Sequence, residues 1–267
     1  MGEDKNRVKS VVKAFAVLQA FGPDAVELVI ADVARSAGLD NATAFRLLNT
    51  LVELGYVERV PETRRFRLTF KCLELGFNAI ARSDLRSLAR PFLRAIVGPR
   101  VEAASIGVLD GPEVVYVERI QAGLERLAVD VRIGYRVPAH SSALGRAILS
   151  GLPVATQRKI LSKRPLSRLT EHTRVHLDQI LEETARAKEL GYAVSDQETV
   201  VGLRVIAAPI TDVDGVPIAA ISAAAAVFGR PLEQFLSDTR EPVCRAAERL
   251  SQAVRAAGGM AAQQPAA

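Results

Sequence analysis

The chain has 267 residues, 49% hydrophobic and 24% charged, which admits two ordinary globular domains and excludes bulk disorder. No apolar run approaches the roughly 18 residues of a membrane-spanning helix. The opening MGEDKNRVKS lacks a signal peptide's apolar core, so a cytoplasmic chain with no membrane contact is expected. Charge is unevenly placed: residues 1–100 hold 16 Lys/Arg against 11 Asp/Glu while residues 101–267 carry 19 of each, so the whole excess of five lies at the N-terminal end, as in a nucleic-acid module joined to a neutral second domain.

In chain order, residues 8–21 place Val8, Val11, Val12, Phe15, Val17 and Leu18 near a helical stripe that Gly22 and Pro23 then stop. A β-prone stretch at 26–30 leads to a short helix at 32–37, with Gly38 as its left-handed cap. Asp40 is a good N-cap for a helix at 41–54 that Gly55 ends; Ala44, Leu47, Leu48 and Leu51 recur at i, i+3, i+4 and i+7, opposite Ala42, Arg46, Asn49 and Glu53. Segments 56–60 and 66–70 flank the basic turn Pro61-Glu62-Thr63-Arg64-Arg65, and Phe66, Leu68 and Phe70 alternate with Arg65, Arg67 and Thr69, the pattern of a hairpin with a cationic tip. A helix from 71 to about 81 follows, then another carrying Leu85, Leu88, Ala89, Phe92, Leu93 and Ile96, with a domain junction near Ser83 and Asp84.

The remainder alternates strands (103–109, 114–120, near 127–131, 203–211, 216–224) with helices (143–150, 176–190, 232–256), and the tail is expected to be disordered. The fold class is therefore α+β, divided as a first domain of helices and a hairpin at 6–70, a linker helix at 71–83, a second domain at 84–256 and a tail at 257–267. Cys72 and Cys244 have no companions at ligand spacing and are expected as buried small hydrophobes.

Two short helices joined by a Gly-containing turn and followed by a hairpin make a winged helix-turn-helix. Gly38 and Ala44 lie four and ten residues after Ala34, the spacing of helix contact, turn glycine and apolar anchor. The outward residues Asn41, Ala42, Thr43, Phe45, Arg46 and Asn49 would reach base edges or phosphates, and Arg64 and Arg65 the backbone or minor groove. A merely solvated helix face would carry Glu and Lys pairs, and this one is nearly free of acid over two turns.

In the second domain, Ser141 or Ser142 would cap a helix beginning near Ala143, leaving the amides of Ala143, Leu144 and Gly145 pointing outward; with Arg146 nearby, a carboxylate would be favoured there. Enzyme signals are weak. No G-x-S-x-G, Walker or G-x-G-x-x-G motif occurs, and His140 beside Ser141 is only a sequence neighbour. His172 and His176 have helical zinc spacing, but Thr173 stands where a metalloprotease has its Glu. Asp196 and Glu198 read as structural or ligand-adjacent rather than as acid and base. No metal, cofactor or catalytic activity is expected.

Residues 30–59, IADVARSAGLDNATAFRLLNTLVELGYVER, resemble the DNA-binding domain of the IclR family of bacterial regulators. HSSALGRAIL at 140–149 and DQETVVGLRVIAAPITDVDGVPIAAIS at 196–222 are similar to that family's effector-domain motifs. Within the family, VLDGPEVVYVERI, GYRVPAHSSALGR and DQE most resemble regulators of protocatechuate, 4-hydroxybenzoate and β-ketoadipate metabolism. The resemblance implies a GAF-like α/β effector domain, a dimerising linker helix, and homodimers or dimers of dimers on inverted-repeat double-stranded DNA operators. It further implies a small organic acid effector held by the Ala143-Leu144 amides. The polar positions that accompany these amides in the family map onto Ser195, Val205, Ser222 and Ala224, two of them apolar here, which favours a larger or less polar acid. Ser141, Ser142, Ala143, Leu144, Ser195 and Ser222 are thus the expected effector residues. A binding protein whose N-terminal module contacts other proteins, or an enzyme on the same architecture, is the alternative.

Overall fold

The computed structural model describes residues 7–22, 24–80, 85–122 and 131–256, without the side chains of 77–80. It forms two compact units, Met1–Arg82 and Ser83–Ala267. Pro23 as a helix stop, the junction at Ser83 and Asp84, all but Val131 of the strand expected near 127–131, and the tail 257–267 lie outside the described residues; Val131 itself is not in a strand.

The first unit runs α1 (Lys9–Gln19), β1 (Leu28–Val29), α2 (Ile30–Ala37), α3 (Asn41–Glu53), β2 (Val57–Arg59), β3 (Arg65–Leu68) and α4 (Lys71–Ile80). The strands form an antiparallel sheet in the order β1-β3-β2. Val17, Phe21, Val33, Leu48, Leu51, Val57 and Phe66 make its core, so the three helices and the wing share one set of apolar contacts. The turn between α2 and α3 depends on Gly38, whose φ of 65° is costly for a side chain bearing a Cβ. Asp40 then caps α3 by accepting from the Thr43 amide at 2.8 Å.

Three expectations need correction here. Ile30 begins α2 instead of ending a strand, because only Leu28 and Val29 find partners on β3. Phe66 is buried as the alternation requires, but Leu68 and Phe70 are exposed: β3 ends at Leu68 and outruns the small core beneath it. In α1 only Val17 is buried, while Val8, Val11, Val12 and Phe15 form an exposed i, i+3, i+4, i+7 row.

The second unit contains α5 (Leu85–Ile96), β4 (Ala103–Asp110), β5 (Glu113–Gln121), β6 (Arg136–Pro138), α6 (Ala143–Ser150), α7 (Val154–Leu161), α8 (Leu177–Leu190), β7 (Ala193–Asp196), β8 (Leu203–Thr211), β9 (Pro217–Ala226) and α9 (Leu232–Ala256). Its six-stranded antiparallel sheet has the order β6-β5-β4-β9-β8-β7. One face packs on α5 and α9 through Ile106, Ile206, Ile221, Leu93, Phe235 and Leu250. The other carries Val114, Ala207 and Ala220 against α6, backed by Ile160 of α7 and Ile180 of α8. The alternation of β4, β8 and β9 sorts residues between these faces, and the alanines of β9 let the helices approach closely.

Two glycines mark where α6 meets its surroundings. A Cβ on Gly107 would lie 2.5 Å from Val114 Cγ1 and 3.0 Å from Leu144 Cδ1; one on Gly145 would lie 2.3 Å from the Ala139 carbonyl oxygen. The start of α6 is therefore clamped between the sheet and the β6–α6 connection. Cys72 and Cys244 are half-buried instead of buried; burial raises both thiols above their ordinary value. Among the described residues no helix is long and apolar enough to cross a membrane.

Candidate functional site

Helix α3 turns Ala44, Leu48 and Leu51 inward, which leaves Asn41, Ala42, Phe45 and Arg46 exposed and Thr43 and Asn49 half-buried. These six are not equally available. The Thr43 hydroxyl donates to Asp40 Oδ2 at 2.7 Å, so its side chain completes the cap, and that hydrogen bond and the one from its amide hold the Asp40 carboxyl below the ordinary aspartate value. Asn49 Oδ1 accepts from Arg59 Nη2 at 2.7 Å, and the same guanidinium lies 5.0 Å from the Phe66 ring centre. Arg59 thus ties the helix to the wing. The sequence reading missed it because the contact joins residues ten apart through a turn.

At the wing, Arg64 is exposed at the tip. Arg65 donates to the Glu27 carbonyl at 3.0 Å, and Arg67 pairs with Glu58 and Glu27. Arg64 is therefore the more available of the two expected wing arginines.

In the second unit, Ser142 caps α6 by accepting from the Gly145 amide at 3.1 Å. This corrects the expectation that all three first-turn amides point outward; those of Ala143 and Leu144 find no acceptor among the described residues. Ser141 donates to the Pro138 carbonyl at 3.4 Å, and its own carbonyl accepts from the Ser195 hydroxyl at 2.8 Å. Ser222 donates to the Ser105 carbonyl at 3.4 Å. The structure thus brings Ser195 to the start of α6, and the register puts Ser222 beside Ser105, in line with Ala207 on the face that packs against α6.

Arg146 does not offer its charge to an anion as expected. It is 1% exposed, as is Glu198. Its Nη1 and Nη2 donate to the two Glu198 carboxylate oxygens at 2.6 and 2.5 Å, its Nε to the His140 carbonyl and its Nη1 also to that of Val194. Arg174 Nη1 donates to Glu198 Oε1 at 2.6 Å. Glu198 is therefore a structural counter-ion that pins α6 to the loop after β7, and Asp196 is likewise bound to Arg204 at 2.9 Å. That loop is further held by Thr170 and Thr173, which donate to the carbonyls of Gln197 and Glu198, with Gln197 at a φ of 60°. His140 is buried with Nε2 3.1 Å from the Ser167 carbonyl oxygen; desolvation lowers its pKa and the Arg146 charge adds to this.

A polar cluster the sequence reading did not single out lies on the α6-facing side of β5 and β4. Arg119 Nη1 donates to the Ser105 hydroxyl at 3.0 Å, and Ser105 in turn pairs in register with Ser222. Tyr116, opposite Gly107, has its ring centre 6.3 Å from that of Tyr135. Burial pushes the Tyr116 phenol up to about 12, although the Arg119 charge pulls it down. Chain order gave no signal for this cluster: residues three apart on a regular strand face opposite ways, and Tyr116 and Arg119 reach one face only because the register with β4 shifts between Ile106 and Gly107.

A winged helix-turn-helix with an exposed second-helix face, and a separate α/β unit carrying a half-buried polar cluster on the sheet face that packs against α6, define a DNA-binding regulator with a sensing domain. Residues 10–61 match the IclR helix-turn-helix domain and residues 77–252 the C-terminal domain of bacterial IclR transcriptional regulators. The chain belongs to the IclR family. It is 32% identical over 247 residues to the Pca regulon regulatory protein of Pseudomonas putida, covering 92% of this chain and 84% of that one. A crystal structure from Rhodococcus sp. RHA1 superposes with a TM-score of 0.80 at 34% identity, covering 92% of this chain and 98% of the other. An IclR homologue of Microbacterium hydrocarbonoxydans, crystallised with 4-hydroxybenzoate, gives 0.78 at 26% identity, covering 91% and 99%. The protein is a DNA-binding transcription regulator controlled by a small-molecule effector.

Proposed function

We propose that the effector is a small organic acid of the aromatic or aromatic-catabolic class, and that it sets the affinity or activity of a cytoplasmic homodimer, or dimer of dimers, on an inverted-repeat operator. The observation that carries this reading is the cluster of Arg119, Ser105, Tyr116 and Tyr135 on the α6-facing side of the sheet. A guanidinium suits a carboxylate, and the tyrosine pair suits a ring. The small residues Gly107 and Ala220 let the start of α6 pack closely on this face, which brings the Ala143 and Leu144 amides and Ser141, Ser142 and Ser195 to the same side of the sheet. The 4-hydroxybenzoate held by the Microbacterium relative is of the same chemical class.

The exposed row of Val8, Val11, Val12 and Phe15 on α1 supports self-association, since an apolar helix face of this spacing is suited to a second copy. On DNA, Arg46 serves as a base-reading residue and Arg64 as a phosphate or minor-groove contact. No catalytic step belongs to this function.

The test is calorimetric titration of the intact protein with 4-hydroxybenzoate, protocatechuate, β-ketoadipate and benzyl alcohol. One acid is expected to bind while the neutral alcohol does not, and Arg119→Leu is expected to abolish acid binding yet leave operator binding in the acid-free protein intact. Full acid affinity in Arg119→Leu would overturn the assignment.

A further inference from the structure

The reading face of α3 is chemically simpler than its composition suggests. The Thr43 side chain is committed to Asp40 and the Asn49 carbonyl oxygen to Arg59. Asn41, Ala42, Phe45 and Arg46 remain exposed; Asn41 stands at the first position of the helix, and Ala42, Phe45 and Arg46 form one patch through the i, i+3 and i, i+4 spacings that put side chains side by side. Phe45 is 41% exposed and takes no part in the apolar cluster of its unit. A single exposed apolar residue would ordinarily need no account. Here it stands on the face of α3 turned away from Ala44, Leu48 and Leu51, beside Ala42 and the exposed Arg46.

The floor of the B-DNA major groove offers hydrogen-bonding edges and a single apolar feature, the 5-methyl group of thymine. We propose that Phe45, with Ala42, reads thymine methyl groups, and that Arg46 reads a guanine next to them. The inference rests on α3 being the DNA-reading helix and adds the base class it reads. It makes each operator half-site a guanine flanked by thymine on one strand or the other, with hydrophobic contact in place of the amide-to-adenine pairing that Asn49 would supply if its carbonyl oxygen were not held by Arg59. Each methyl group buried against the ring is worth about fourfold in affinity, the equivalent of ~0.8 kcal/mol.

The test begins by selecting the preferred duplex of the full-length protein from a random pool. Each thymine is then replaced singly by deoxyuridine, which deletes the methyl group and keeps every hydrogen-bonding edge, and affinity is read by fluorescence anisotropy for the parent and Phe45→Ala. In the parent, one or two positions per half-site are expected to lose about fourfold on losing the methyl, ~0.8 kcal/mol. In Phe45→Ala the same positions are expected to lose nothing further, the non-additivity that marks a direct contact. Phe45 lies outside the core, so unchanged thermal unfolding of the variant is the control for folding. If no deoxyuridine position matters, or if Phe45→Ala keeps the same losses, the methyl reading is wrong while α3 remains a DNA-reading helix. If no sequence is selected at all, that underlying reading fails as well.

Discussion

Glu198→Gln removes one charge from the most deeply buried ion pair among the described residues of the sensing unit and preserves its shape. Arg146 and Glu198 are each 1% exposed, and both carboxylate oxygens are occupied by guanidinium donors. An amide in that place keeps one acceptor and turns an N–H toward Arg146, so the guanidinium stays buried without a counter-charge. Breaking a buried pair from one side in this way costs about 3–5 kcal/mol. For a unit of this size ~1 kcal/mol moves the midpoint by roughly 2–4 °C, so a fall on the order of 6–20 °C is expected in its melting transition. Differential scanning calorimetry reads this directly. The loss should persist from 0.1 to 1 M salt, because the pair is shielded from mobile ions. Arg174→Ala is the internal contrast: its side chain is 39% exposed, so its removal is expected to cost no more than ~1 kcal/mol. A midpoint for Glu198→Gln within ~2 °C of the parent would refute the argument that this pair anchors α6.

Arg46→Ala is expected to lose about 1–3 kcal/mol of operator affinity and relax selectivity at one base pair, whereas Arg64→Ala should weaken all duplexes alike and flatten the log–log salt slope by about one, both read by anisotropy. Burial lowers the His140 pKa below its unfolded value, so the unfolded state binds more protons in between. Stability of the sensing unit should then fall as pH drops below about 6.5, by at most ~1.4 kcal/mol per pH unit, and level off below the folded pKa; His140→Gln should abolish the fall in melts between pH 5 and 8. Gly145→Ala would set a Cβ 2.3 Å from the Ala139 carbonyl oxygen, and the forced shift should cost about 1–3 kcal/mol and weaken effector binding, checked by melting and titration.

Elements with strong local signals were legible in the sequence. α6, β8 and α9 fall at 143–150, 203–211 and 232–256 as their periodicities require, and Asp40 and Gly38 bound α3 and α2 as cap and turn residues. What escaped depends on distant partners. β6 is three residues ending in Pro138 and exists because β5 supplies its hydrogen bonds. β7 is four residues that pair only with β8, and α7 is a short helix after Pro153 whose Val154 is exposed, which blurs its apolar spacing. The site was read in the same uneven way. Ser142 capping α6 is a local event, three residues long, whereas the capture of Arg146 by Glu198 spans 52 positions and reversed the role the sequence suggested for that arginine. Tyr116 and Arg119 looked like ordinary strand residues until the bulge brought them to one face.

In this regulator acid and operator bind one molecule and are coupled. The most direct measurement is anisotropy of the intact protein on its selected operator and on unrelated DNA across a salt series, without and with the acid that binds in calorimetry, together with that acid's affinity for the free and the operator-bound protein. Sequence-selective binding with a steep salt dependence is expected, with a shift in operator affinity matched by an equal shift in acid affinity when DNA is bound. Equal affinity for operator and unrelated DNA, or an acid that binds without changing operator affinity or transcription from it, would contradict it.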